Sequence, residues 1–360
     1  MRLPHRITGI VMIALLCAIY SCSKETKIPD AVAVTEPASV TTSATSTTST
    51  TTTTSTQSTS ATLQTGSSST VLASGVFKTQ NVIIIVMDGA RFSETWGDYT
   101  RRNIPNMFNM YSQGVLLGNF RNNGTTLTDS GHDAICTGNY DNLENSGQEL
   151  PNYPSIFQSF LKATGKPQTK AWVVASKDKL AILGDCKQQE WAGQYMPKTD
   201  CGNNGIFTGY RSDDTTFNHA KDVMAAYHPN LMLINFKDPD VYGHGNQWSG
   251  YIMGIKQTDL YIKQIYDLVQ NDPEYKDKTT IFITNDHGRH LDNVADGFIS
   301  HGCDCEGCRH IQMLALGPDF KKGLGSDNAY EQIDIAPTIA KMLNFKMEYA
   351  KGKVMTDLFR

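Results

Sequence analysis

Asp286 and His287 stand side by side at the end of the apolar run Thr279–Thr284, in the stretch Asn285-Asp286-His287-Gly288-Arg289. A short apolar run that gives way to small and polar residues reads as a buried strand opening into a loop. Parallel sheets form their ligand sites at such carboxyl ends. A carboxylate oxygen beside an imidazole nitrogen is a donor pair that a zinc-like ion accepts. The same chemistry recurs elsewhere in the chain. Asp88 follows Asn81–Met87, Asp240 and His244 follow Leu231–Phe236, and His301 lies beyond the Asp286 loop. The four-residue spacing of Asp240 and His244, around a glycine, lets both side chains converge on one ion. Together these strand ends describe a two-ion site. Two ions about 3.5–4 Å apart clamp the attacking and leaving oxygens of a displacement at phosphorus.

A nucleophile is offered by Thr125-Thr-Leu-Thr128-Asp-Ser130-Gly-His132, which leads to Thr137-Gly138. Hydroxyl residues before a helix act as caps, and the helix start gathers free N–H groups that favour an anion. A hydroxyl placed there can be activated by an ion and face a phosphate.

The elements that must position these groups alternate. Apolar runs at Asn81–Met87, Ala171–Ala175, Leu231–Phe236, Thr279–Thr284 and Gln312–Leu316 read as core strands. Helical periodicity occupies Pro154–Thr164, Thr216–Tyr227, Trp248–Gln270 and Ile333–Leu343. This alternation predicts an α/β domain with a central, mostly parallel sheet covered by helices on both faces. The polar, glycine-rich stretch Gly184–Asp214 is expected to border the site, as long loops in compact domains often do.

The domain is expected to span 77–360. Before it, residues 1–21 combine a basic start (Arg2, His5, Arg6) with the apolar stretch Ile10–Ile19, the proportions of a signal peptide. Ile19-Tyr-Ser-Cys22 resembles the lipobox of exported bacterial lipoproteins, which implies acylation of Cys22 and a membrane anchor. Residues 22–76 include a run of almost unbroken Ser and Thr. Such a tract buries too little apolar surface to offset its chain entropy and reads as a disordered tether. The formal net charge is −4 and no basic patch stands out, which argues against nucleic-acid recognition. Cys186 and Cys201 could staple a polar loop. Cys303, Cys305 and Cys308, read first as free thiols or disulfide partners, have a structural zinc as their alternative, with His310 following.

Five motifs in order resemble the alkaline phosphatase superfamily, on the branch of type I phosphodiesterase/nucleotide pyrophosphatases and threonine-nucleophile alkaline phosphatases. They are Ile85-Val-Met-Asp88-Gly, Thr128-Asp-Ser-Gly-His132 with Thr137-Gly138, Asp238-Pro-Asp240-Val-Tyr-Gly-His244, Thr284-Asn-Asp286-His287-Gly and Ser300-His301-Gly302. The resemblance covers about Asn81 to Leu343. It implies two divalent ions, zinc by family habit. Asp88, Thr128, Asp286 and His287 would surround one, and Asp240, His244 and His301 the other. Thr128 takes the nucleophile's place by its distance from His132 and Gly138, with Ser130 as its rival. Lys177 and Lys179 resemble the Lys-Asp-Arg word with which the threonine-type phosphatases hold phosphoryl oxygens, a lysine here replacing arginine. No asparagine falls at the family's usual phosphate-binding spacing. Asn152 is the expected substitute, flanked by Gln148 and Asn145. His290 and His310 are expected to support the fold.

These readings favour a zinc-dependent phosphomonoesterase acting on a small phosphate ester through a phosphothreonine intermediate. The alternatives are a phosphodiesterase or nucleotide pyrophosphatase using the same residues, and a surface lipoprotein that only binds. Sulfate-ester hydrolysis is disfavoured because the Cys/Ser-x-Pro-x-Arg nucleophile motif is absent. A lipid-headgroup phosphotransferase would be expected to carry several membrane spans.

Overall fold

The structure, a computed structural model, describes residues 76–360. The leader, Cys22 and the Ser/Thr tract up to residue 75 lie outside the described residues. No helix among the described residues is long and apolar enough to cross a membrane.

Nine strands form one sheet: β1 Asn81–Met87, β2 Gly114–Arg121, β3 Ala171–Ala175, β4 Lys198–Cys201, β5 Leu231–Phe236, β6 Thr279–Thr284, β7 His310–Leu316, β8 Leu324–Ser326 and β9 Tyr330–Glu331. Their order is β4-β3-β5-β1-β6-β7-β2-β8, with β9 also paired to β2. β7 alone runs against its neighbours, β6 and β2. The helices are α1 Pro105–Met110, α2 Thr128–Thr137, α3 Ile156–Thr164, α4 Asp213–Tyr227, α5 Asp238–His244, α6 Trp248–Asn271, α7 Glu306–Arg309 and α8 Ile335–Met342.

The central strand β1 shows why the sheet is covered twice. Every one of its residues is buried. Val82, Ile84 and Val86 point into one core, where Ile135 of α2, Phe157 of α3 and Ile339 of α8 meet them. Ile83, Ile85 and Met87 point into the other, against Phe217 of α4 and Ile255 and Ile262 of α6. A strand buried on both faces reads as a continuous apolar run, so the alternation of facing does not appear in the residue types.

The parallel register carries the ends of β1, β3, β5 and β6 to one edge of the sheet. That edge therefore collects Asp88, Lys177, Asp240 and Asp286. The expected staple between Cys186 and Cys201 does not form: both thiols are buried and unbridged. Cys201 instead closes β4, its Sγ set 3.8 Å from the Val173 carbonyl.

Candidate active site

Thr128 opens α2, and its side chain is buried at the sheet edge. Its Oγ1 lies 3.0 Å from Lys177 Nζ and 3.5 Å from His287 Nε2. Ser130 has another occupation: its hydroxyl accepts from the Leu143 backbone N–H at 3.0 Å. A β-carbon at Gly131 would sit 2.4 Å from the Asp286 carbonyl oxygen, so glycine is what allows α2 to lie directly against the Asp286 loop. Asn122 Nδ2 and Gln332 Nε2 donate to that same carbonyl, at 2.8 and 2.6 Å, and fix the loop from outside.

Three buried carboxylates converge in front of Thr128. Asp88 accepts from Lys177 Nζ at 2.8 Å and from Asn235 Nδ2 at 2.9 Å. Asp240 accepts from Lys177 Nζ at 2.7 Å and from the Arg289 guanidinium. Asp286 uses Oδ1 for the backbone N–H groups of Gly89 and His287, while its Oδ2 has no hydrogen-bond donor. Burial and the charge of Asp88 push the Asp286 carboxyl well above the ordinary carboxylate range. Burial pulls the Lys177 ammonium downward, but Asp240, Asp88 and Asp286 outweigh it and hold its pKa above the ordinary lysine value. Lys177 therefore stays protonated and cannot serve as a base.

The histidines supply the test of whether cations fit here. A ring nitrogen beside a carbonyl oxygen must carry the proton. His287 Nδ1 donates to the Gly288 carbonyl at 2.9 Å and His301 Nδ1 to the Thr126 carbonyl at 2.8 Å. Both are left with a bare Nε2. His287 Nε2 then faces Asp286 Oδ2 at 3.2 Å, a contact that the proton held by the raised Asp286 carboxyl bridges in the ion-free protein and that an ion can replace. His301 Nε2 lies 3.0 Å from His244 Nε2, and each is 3.4 Å from Asp240 Oδ1. Burial, then the neighbouring His301, keeps His287 neutral by holding its pKa well below the ordinary value. Two overlapping groups of donors suit divalent ions, Asp88 with Asp286 and Asp240 with His301, and the single free Nε2 of His287 lies within reach of either group and can ligate one ion. His244, about half exposed, stands at the rim of the second group.

His132 lies behind the site. Its pKa is lowered to about 4 by burial. Its Nδ1 donates to the Thr128 carbonyl at 2.8 Å, and its Nε2 accepts from Asn235 at 3.2 Å. It thus links the start of α2 to the Asn235 amide that holds Asp88.

The second lysine, Lys179, is also buried. Its Nζ bonds Asn145 Oδ1 at 2.7 Å and pairs with Asp129 at 3.3 Å. Asn145 Oδ1 also accepts the Asp129 backbone N–H at 3.0 Å, one residue past Thr128. Asn152 is exposed, and its backbone N–H is spent on Asp141. The asparagine that the structure places beside Thr128 is therefore Asn145, while Asn152 lies at the surface. The Gly184–Asp214 stretch reaches the site through Tyr210, whose ring centre is 5.9 Å from Lys177 Nζ.

Arg289 is the residue whose role the sequence did not disclose. It is fully buried, pairs with Asp240, and donates to the carbonyls of Phe298 and Ile299. A β-carbon at Gly243 would lie 2.5 Å from Arg289 Nε, so the glycine between Asp240 and His244 makes room for the guanidinium. Arg289→Met leaves Asp240 and both carbonyls short of donors. It is expected to lower stability by about 3–5 kcal/mol, read as a lower urea midpoint at unchanged slope.

The family model described as Sulfatase matches residues 80–345. Among solved structures, the chain is similar to wild-type alkaline phosphatase PafA (TM-score 0.60, 11% identity, 78% of this chain and 99% of that one). It is similar to a phosphonate monoester hydrolase from Silicibacter pomeroyi (0.58, 14%, 77% and 76%). It also resembles murine ectonucleotide pyrophosphatase/phosphodiesterase 5 (0.57, 15%, 78% and 100%). At these identities the likeness is one of fold. A curated relative, 2,3-bisphosphoglycerate-independent phosphoglycerate mutase from Caenorhabditis elegans, is 27% identical over 119 residues, 33% of this chain and 21% of that protein. The chain belongs to the Sulfatase family and, with it, to the alkaline phosphatase superfamily of phosphate- and sulfate-ester hydrolases.

Proposed function

We propose that this chain is a metal-dependent phosphoric ester hydrolase that favours phosphomonoesters and uses Thr128 as its nucleophile. The observation that carries the reading is the Thr128 hydroxyl at a helix start, 3.0 Å from a buried ammonium and beside three converging carboxylates. Zinc-like ions held by Asp88, Asp286 and His287, and by Asp240, His301 and the nearby His244, would supply Lewis acidity to the attacking and leaving oxygens.

The chain's own groups do the rest. The start of α2 presents its positive dipole end to the phosphoryl oxygens, although the Asp129 N–H is already taken by Asn145. Lys177, firmly protonated, stabilises negative charge on Thr128 Oγ1. Thr128 Oγ1 forms a bond to phosphorus as the ester P–O bond breaks, its proton passing through solvent to the departing alkoxide, and water then cleaves the phosphothreonine, its oxygen going to phosphate and a proton restoring the Thr128 hydroxyl. Lys179 and Asn145 stand on the far side of α2's first turn, in reach of the same region. Two lysines suit a dianionic monoester better than a monoanionic diester. The Cys/Ser-x-Pro-x-Arg motif of sulfate-ester hydrolysis is missing, which keeps phosphorus ahead of sulfur despite the family's name.

The proposed anchor follows from the sequence alone: export as a lipoprotein, acylated on Cys22. The substrate test compares p-nitrophenyl phosphate, bis-p-nitrophenyl phosphate and p-nitrophenyl sulfate on the zinc-loaded protein. The monoester is expected to show the highest kcat/KM by at least about tenfold, equivalent to about 1.4 kcal/mol of selective transition-state binding. Faster turnover of the bis-ester would move the assignment to a phosphodiesterase.

A further inference from the structure

Cys303, Cys305 and Cys308 are unbridged, and they gather with His290 beside the active-site loops. One ligand atom from each of the four lies within 4.8 Å of all the others. Cys303 Sγ and Cys308 Sγ are 3.7 Å apart. A disulfide needs about 2.0 Å. Two thiolates on a tetrahedral zinc, each with a bond of about 2.3 Å, are about 3.8 Å apart. The observed spacing is that of two ligands of one ion.

The histidine is prepared in the same sense. His290 is buried, and its Nδ1 lies 2.9 Å from Asp296 Oδ1, an oxygen that also accepts from Ser300 Oγ at 2.7 Å. A carboxylate on Nδ1 fixes that proton and leaves Nε2 as the donor atom, the arrangement that supports metal-bound imidazoles. Cys305 precedes α7, Cys308 lies within it, and the Cys305 backbone N–H approaches Cys303 Sγ at 3.3 Å.

We propose that His290, Cys303, Cys305 and Cys308 form a closed Cys3His site for a zinc ion, separate from the catalytic cluster. Three soft thiolates and one imidazole select zinc over magnesium or calcium, and four protein ligands leave no open position for substrate. The site's work is to hold the loops that carry the catalytic histidines. Gly288 N–H bonds the Cys308 carbonyl at 2.8 Å, and His290 N–H bonds the Ser300 carbonyl at 3.1 Å. Thr126 Oγ1 bonds the Cys303 carbonyl at 2.7 Å, and His301 bonds Thr126 in turn. One ion would therefore pin His287, His301 and the segment leading into Thr128.

The test uses the full exported chain. An Asp88→Asn/Asp240→Asn variant, which disables the catalytic cluster, is expected to retain one tightly held zinc per chain by elemental analysis. Cobalt-loaded wild type should show a thiolate-to-cobalt charge-transfer band, His290→Cys should strengthen it, and Cys305→Ser should weaken it. Wild-type spectra decide the matter even where Cys305→Ser fails to fold. A cobalt-loaded wild type without that band would overturn the proposal. So would a Cys303–Cys308 disulfide in peptide maps of unreduced protein, or a double variant free of zinc.

Discussion

Thr128→Ala is expected to lower kcat/KM for a phosphomonoester by roughly 10³-fold or more, at nearly unchanged stability, because the proposed mechanism has no substitute for its nucleophile. The hydroxyl makes only the contacts with Lys177 and His287, so its loss removes little packing. Thr128→Ser keeps an oxygen at the same helix position and should retain measurable turnover. Ser130→Ala provides the contrast. Its hydroxyl holds the Leu143 N–H, so the change should cost about 1 kcal/mol in stability and leave kcat/KM within a few-fold. If the two alanine variants exchanged these phenotypes, the nucleophile would be Ser130. The ion-binding carboxylates remain in both variants, so zinc content should not change.

The second large effect belongs to Lys177. Its ammonium is fully buried and paired with Asp88 and Asp240. Lys177→Met is expected to lower the stability of chelator-treated protein by about 3–5 kcal/mol, the consequence of leaving buried charge without its partner. The loss should grow as pH rises. Asp286 sits well above its ordinary 3.8 because of burial and the charge of Asp88. A carboxyl with a raised folded-state pKa stabilises the fold by holding its proton. That contribution is largest at low pH and disappears as pH climbs through the folded-state value. Removing Lys177 takes away a positive charge that holds this pKa down, so the fold of the variant depends more strongly on the retained proton. Divalent ions should restore much of the stability, since the same carboxylates would then face a cation. Urea midpoints at acidic and mildly alkaline pH, with chelator and with zinc, read all three effects. In the zinc-loaded variant, monoester kcat/KM should fall by about 10²–10³-fold, the usual cost of losing one charge-stabilising donor. An equal fall for monoester and diester would remove the argument that Lys177 selects the dianion.

Much of the fold was legible because its central strands are buried on both faces. β1, β3, β5 and β6 appear in the sequence as apolar runs with the boundaries that the structure gives them. The strands that escaped detection lie toward the edges. β4 has two exposed residues in Lys198-Thr-Asp-Cys201, so no apolar run marks it. β2 is interrupted by a register shift between Leu117 and Phe120, which breaks its period. Helix α5 did carry a usable signal: Pro239 sits at the helix start, where a missing N–H costs nothing.

The site was legible to the extent that its ligands sit at strand ends. Asp88, Asp240, Asp286 and His287 needed only the order of the strands to be brought together. Asn145 could not be found by spacing, because an irregular loop returns it to Thr128 and loop length says little about reach. Arg289 stands two residues past His287, yet its meaning depends on Asp240 from another strand end. Gly243 hinted at it, and only the packed structure gives the reason.

The most direct test is to find the covalent phosphate. Zinc-loaded protein mixed with a labelled phosphomonoester and quenched in acid during turnover should yield one phosphorylated peptide, with the label on Thr128. Wild type should show this label and Thr128→Ala should not. Label on Ser130, or steady hydrolysis by a protein that never carries phosphate on Thr128 at any quench time, would contradict the mechanism.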